Sequence, residues 1–186
     1  MTLKPLTLYD MQQIRLWRDE VRETLRTPYM LTAEQQEDYY RTVICDRDSR
    51  TRYWGLWATK YEALPPLLPH TQEGPIFIGY GGIENIEWEN STGEISILIG
   101  AEFHRHGYGR KAVDMFLEEA FYRLNLHSVH GECYRCSPAC EFWQKIIQSH
   151  KGFTVDLPAR KYWDDVYWPS MYFTFIKPAA DWADGK

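Results

Sequence analysis

The chain has 186 residues, 44% of them hydrophobic and 25% charged, with a formal net charge of -5. That is enough for one domain with a sizeable core, spanning 1–186, and too little for two ordinary domains. No apolar run approaches the roughly 18–20 residues of a membrane span, and the start lacks the basic-then-apolar layout of a signal peptide, so the expectation is a cytoplasmic protein with no membrane partner. The negative charge argues against a nucleic-acid surface. It suits an amine-bearing small-molecule partner, although solubility alone accounts for it as well.

In chain order, Leu3 to Thr7 reads as a first strand. Thr7 and Asp10 then open a helix with Met11, Ile14 and Trp17 at helical spacing. Thr32 and Gln35 form a capping-box pair at the start of a second helix. Tyr53 to Thr59 is a strand, and Pro65, Pro66 and Pro69 make Glu62 to Gly74 a loop or flap. Ile76 to Ile83 and Thr92 to Ile99 are strands joined by a polar turn around Glu89-Asn90-Ser91. A helix over Gly107 to Leu124 carries Ala112, Val113, Phe116, Leu117, Ala120 and Phe121 as one apolar stripe. Ser128 to Tyr134 is a strand, Ser137 caps a helix with Pro138 in its first turn, and Gly152 to Val155 and Met171 to Lys177 are the last strands. The order β-α-α-β-β-β-α-β-α-β-β predicts an α/β (α+β) fold, a mixed sheet with helices on both faces.

The segment His104-Arg105-His106-Gly107-Tyr108-Gly109-Arg110 follows a strand and opens a helix. The first helical turn has unpartnered N–H groups and the positive end of the helix dipole, which together bind phosphate. Glycine lets backbone approach the oxygens, and Arg105, Arg110 and Lys111 add charge. On spacing alone a flexible loop before an amphipathic helix fits equally well. Ala112 stands where a dinucleotide fold wants its third glycine, and a Walker loop's G-K-[ST] is absent.

With its preceding strand and following helix, H-R-H-G-Y-G resembles the [Q/R]-x-x-G-x-[G/A] motif of the GNAT acetyltransferases, with His104 in place of the usual Gln or Arg. Leu16-Trp17-Arg18-Asp19, Gly93-Glu94-Ile95-Ser96-Ile97 and Lys151-Gly152-Phe153 are similar to the branch holding ribosomal-protein N-terminal and amino-sugar-nucleotide acetyltransferases. The resemblance implies a mostly antiparallel sheet of about seven strands, acetyl-CoA as the acyl donor, and transfer to a primary amine by direct attack. It implies that the backbone of Ile97, Leu98 and Ile99 pairs with the pantetheine arm. The N–H groups of Arg105, His106, Gly107, Tyr108, Gly109 and Arg110 would hold the pyrophosphate. The implied acceptor pocket is lined by Trp17, Arg22 and Met30, by Glu84 on the Ile83 to Trp88 segment, and by an Arg160 to Ser170 loop carrying Trp163 and Trp168. A nucleotide-linked amino sugar is one acceptor; a protein N-terminus or a modified nucleobase is another, and a non-catalytic acyl-CoA-binding module is the rival outside enzymes. A homodimer is left open.

Acyl transfer to an amine needs a proton acceptor and a donor for the leaving thiolate. Strand alternation puts Glu94, Ser96 and Leu98 on one face, and Glu94 is the first choice of base, ahead of Glu84 and Glu87. On the next strand Ser128, His130, Glu132 and Tyr134 share a face. Many relatives carry Asn-x-x-Ala-x-x-x-Tyr in the helix that follows, with Tyr as the acid. The same register here places Cys136 by the donor, then Ala139 and Trp143, and indole is no acid, so the acid is another residue, with Tyr134 as the candidate, or water, or the thiolate leaves unassisted. His127, His130, Cys133, Cys136 and Cys140 have zinc-like spacing but straddle a strand and a helix; no metal is expected, and the cysteines read as small apolar residues.

Overall fold

The computed structural model describes residues 1–59 and 74–178. The expected flap at 62–74 therefore lies outside the described residues, apart from Gly74. The chain runs β1 (Thr2–Lys4), α1 (Leu8–Glu20), α2 (Ala33–Tyr39), β2 (Arg52–Ala58), β3 (Ile76–Glu87), β4 (Thr92–Ile99), α3 (Tyr108–Glu118), β5 (Ser128–Tyr134), α4 (Cys140–Ser149), β6 (Phe153–Trp163) and β7 (Val166–Ile176). This is the element order expected from the sequence. Both capping boxes form: Thr7 with Asp10 opens α1, and Thr32 with Gln35 opens α2.

The strands make one seven-stranded sheet in the order β1-β2-β3-β4-β5-β7-β6. Every neighbouring pair is antiparallel except β4 with β5. Helices cover both faces. A small cluster of Leu6, Met11, Ile14 and Tyr80 lies under α1. A larger one joins Val113, Phe116 and Leu117 of α3 and Trp143, Ile146 and Ile147 of α4 to the sheet. The α3 stripe is buried as its periodicity demands, and the helix ends in a wider π turn over Glu119–Arg123 that buries Ala120 and Phe121.

Four boundaries differ from expectation. Strand β1 is Thr2–Lys4 rather than Leu3 to Thr7, because Thr7 is taken up as the N-cap of α1. Strand β3 continues past Ile83 to Glu87, with an irregularity between Glu84 and Glu87 where Asn85 adopts φ 50°. Helix α4 starts at Cys140, because Ser137 and Pro138 form a preceding turn in which Ser137 Oγ accepts from the Ala139 N–H at 3.2 Å. The expected Arg160 to Ser170 loop is instead a hairpin: Asp164 and Asp165 have φ 53° and 57° and connect the paired Trp163 and Val166. Left-handed dihedrals at both central residues match the twist of the flanking strands, and Asp tolerates them better than most residues.

Candidate active site

The parallel pairing of β4 with β5 is short. It links Thr92 to Ser128, Gly93 to Val129 and Glu94 to His130, and then stops. Beyond that point β4 stays on β3 as far as Ile99, and β5 stays on β7 as far as Tyr134. The strands therefore diverge into a wedge, and among the described residues no strand pairs with that edge of β4 past Glu94. The wedge opens into a cavity of about 540 Å³. Ser96, Ile97, Cys133, Tyr134, Ala139 and Trp143 line its wedge end, and Arg18, Tyr53, Tyr80, Glu84 and Asn85 line its far end, with Arg26, Glu94 and Glu132 also on the wall.

At the C-terminal end of β4 the chain turns into α3. His104 Nε2 lies 2.9 Å from the Ile99 carbonyl and His106 Nδ1 lies 2.7 Å from the His104 carbonyl. His104, the departure from the family motif, thus fastens the loop to the strand end. Arg105 and Gly107 have φ 66° and 80°, and Gly107 is the N-cap of α3. A Cβ at Gly107 would meet no atom within 4 Å, so the first turn is open on that side. Arg105, His106 and Arg110 are exposed, while Tyr108 is buried and its ring stacks on His106 at 5.9 Å. The two glycines do different jobs. A Cβ on Gly109 would lie 2.9 Å from the Phe142 ring, so this glycine lets α3 pack on α4 rather than clearing a path to phosphate.

The far end of the wedge is built from carboxylates. Glu84 and Glu94 are cross-strand partners on β3 and β4. Glu94 is 9% exposed. Its Oε2 accepts from Asn85 Nδ2 at 2.8 Å and from Arg26 Nη1 at 3.2 Å, and its Oε1 accepts from Arg26 Nη2. The bulge at Asn85 is what turns that amide onto Glu94. Glu84 accepts from the Tyr53 hydroxyl at 2.6 Å. Burial pushes the Glu84 carboxyl up, and the nearby Glu94 charge adds to this against the Tyr53 hydrogen bond. Glu132 on β5 accepts from Arg160 Nε at 2.9 Å and from Ser170 Oγ at 2.6 Å, with Arg26 Nη2 at 3.7 Å. Burial raises the Glu132 carboxyl, but those hydrogen bonds and the Arg160 and Arg26 charges outweigh it and hold the group below its usual range. Burial lowers the His130 imidazole more than the Glu94 and Glu87 charges raise it, which favours the neutral ring.

Not every expected site residue reaches this cavity. Glu84, Glu94, Ile97 and Tyr134 line it. Leu98 and Ile99 lie half-buried further along β4. Trp17 is corrected from pocket to core: it is 3% exposed, and its ring packs on Phe77 at 5.3 Å and Phe103 at 6.4 Å. Arg22 sits in a 3-10 turn (Arg22–Thr24) outside the lining, and Met30 is 65% exposed. Trp168 belongs to the β6–β7 hairpin, paired with Lys161, and does not line the cavity. The Cys136 Sγ points to the Glu23 carbonyl at 3.8 Å rather than into the wedge. The Cys133 and Cys140 sulfurs lie 3.0 Å apart, and among the described residues no group of three or more His, Cys, Asp or Glu could hold a metal ion.

Sequence reasoning missed Arg26, which no motif marks on an irregular link, and Asn85, which depends on a bulge. It noted Glu132 only as one of a polar face, and the i, i+2 alternation of Glu132 with Tyr134 was the available signal.

Comparison with curated protein sequences gives no match. Solved structures with the same fold include spermidine N-acetyltransferase from Vibrio cholerae in complex with CoA and spermine, with 17% identity, TM-score 0.77 and 94% of each chain covered. Mutant forms of the Vibrio cholerae spermidine/spermine N-acetyltransferase align at 17% identity and TM-score 0.73, covering 94% of this chain and 92% of the other. The form of that enzyme with manganese ions aligns at 16% identity and TM-score 0.72, covering 98% and 96%. Residues 1–136 match the family model described as acetyltransferase (GNAT) domain, so the chain belongs to the GNAT acetyltransferases, enzymes that take their acetyl group from acetyl-CoA.

Proposed function

We propose that this acetyltransferase moves the acetyl group to a primary amine of a small cationic acceptor by direct attack. The observation that carries the proposal is the continuity of the cavity, from the wedge between β4 and β5 to the carboxylates Glu84, Glu94 and Glu132. Carboxylates deep in a wall favour an ammonium ligand and disfavour a nucleotide-linked sugar, whose phosphates they would repel. The Vibrio cholerae enzyme of the same fold binds CoA and spermine, which supports an amine of that kind as the first acceptor to test.

The donor supplies an activated acetyl thioester. The residues present fit it: the edge of β4 at Ile97, Leu98 and Ile99, with which no strand among the described residues pairs, offers backbone groups to an extended amide arm, and the open first turn of α3 with Arg105 and Arg110 offers N–H groups and charge to a pyrophosphate. Glu94 accepts the proton of the acceptor ammonium, which must be lost before nitrogen can attack. Tyr134, 7% exposed and on the cavity wall, protonates the departing thiolate. Trp143, in the place where relatives carry Tyr, gives the wedge an apolar wall against the Phe173 ring at 4.6 Å.

The test is free-thiol release from acetyl-CoA with a panel of amines. We expect turnover with spermine and diamines and little with amino-sugar nucleotides. Glu94→Gln is expected to lower kcat by about 100-fold or more, in the range usual for a general base, with CoA affinity unchanged. CoA binding without turnover of any amine would overturn the reading.

A further inference from the structure

Arg26 is a charged group on the cavity wall to which the mechanism assigns no role. It lies on the link between the Arg22–Thr24 turn and α2, and its side chain is 52% exposed, yet it reaches two carboxylates whose side chains are only 11% and 5% exposed, Glu94 and Glu132. A cation belonging to the chain therefore sits on the carboxylate that must receive the acceptor's proton. While it is there, Glu94 has both oxygens engaged.

Resting on the acceptor reading above, we infer that the Arg26 guanidinium is a built-in stand-in for the acceptor's ammonium, and that acceptors must displace it to reach Glu94. Two features make displacement easy. The link backbone beside Arg26 is held, because the Leu25 carbonyl accepts from Lys161 Nζ at 2.5 Å and the Leu25 N–H donates to Arg22 O at 3.1 Å. Leaving thus takes only side-chain rotation, not unfolding. Both carboxylates also keep partners afterwards: Asn85 stays on Glu94, and Arg160 and Ser170 stay on Glu132. Departure leaves the Glu94 charge without a counter-ion, a cost that a small ammonium on the cavity wall offsets. Arg26 is in this sense a specificity-determining residue. It sets a threshold that a neutral or anionic acceptor does not pass, because such a molecule offers Glu94 nothing in exchange.

The experiment is calorimetric binding of spermine to the CoA-saturated protein, in the wild type, Arg26→Ala, Arg26→Lys and the double variant Arg26→Ala/Glu94→Gln, with thermal unfolding of each. Arg26→Ala is expected to bind spermine at least fivefold more tightly. Methylguanidinium at millimolar concentration should reverse that gain and leave the wild type unaffected. The double variant should lose the gain, which ties it to this pair. Arg26→Lys, which loses the two-pronged contact, should show a smaller gain of the same sign; if Arg26→Ala fails to fold, this variant alone decides. Unchanged or weaker spermine binding in the folded variants, or an equal gain in the double variant, overturns the inference. Thiol release by the wild type is scored separately, so absence of turnover counts against the acceptor reading and not against the Arg26 exchange.

Discussion

Two carboxylates face each other across β3 and β4, and their surroundings differ. Glu94 is held by a guanidinium and an amide, whereas Glu84 accepts from the Tyr53 hydroxyl and lies where burial favours its neutral form. Folding therefore asks Glu84 to keep a proton that the unfolded chain gives up at the ordinary carboxylate pKa. Between the ordinary and the raised value the folded state binds more protons, and this stabilising contribution is lost as pH rises through the raised value. Replacing the carboxylate with an amide removes the penalty only at the higher pH. We expect Glu84→Gln to raise Tm at pH 8 by about 2–4 °C for each kcal/mol recovered, with no gain at pH 3.5, where both states hold the proton. Calorimetric scans at the two pH values check this, and an equal gain at both would refer the effect to packing instead. The residue identities of this site were legible, since strand alternation alone puts Glu94 and Tyr134 on polar faces. Their partners were not. Arg26 is 68 residues from Glu94 in sequence, and no local pattern ties such a pair together.

At the scale of elements, the start of α3 shows how far a motif can be read. The G-x-G spacing gave two glycines one common purpose, and the folded chain separates them. Gly107 has φ 80° with no neighbour within 4 Å of a Cβ, while Gly109 is pressed against Phe142. We expect Gly107→Asn to keep CoA affinity within about threefold, because Asn tolerates the left-handed region. Gly107→Glu should lose at least tenfold, because it places a negative charge at the phosphate site. Titration of CoA into each variant distinguishes charge from strain, and equal losses would remove the charge argument. Capping boxes and the α3 stripe were legible because the signals are local: a side chain and a backbone N–H three residues apart, or one helical face. The β6–β7 hairpin was not, because its turn is Asp164-Asp165 rather than the Asn-Gly or Asp-Gly pair that announces left-handed dihedrals. Trp17 failed as a pocket residue for a different reason: helical spacing shows that a side chain points inward, but not whether it meets a cavity or a packed Phe77.

Among the described residues the sheet is two antiparallel halves, β1 to β4 and β5 to β7, whose strand pairing across the middle is three residue pairs of parallel strand. Element order and class followed from periodicity, but the length of that seam depends on where two strands part, and nothing in either strand's own sequence marks the point. The seam has a bearing on how long the protein survives. On the proposed placement, a donor in the wedge would bond to one half-sheet and pack on the other, and so would be a structural member as well as a reactant. A ligand at about 100 times its Kd adds about 2.7 kcal/mol to a fold that binds it only when native. We expect CoA to slow hydrogen exchange selectively in residues 95–99 and 131–134, with β2 little affected; uniform protection would argue against a local seam. The cell's supply of acyl-CoA would then set the turnover of the enzyme itself, leaving starved copies to gape, and to be degraded, ahead of those at work.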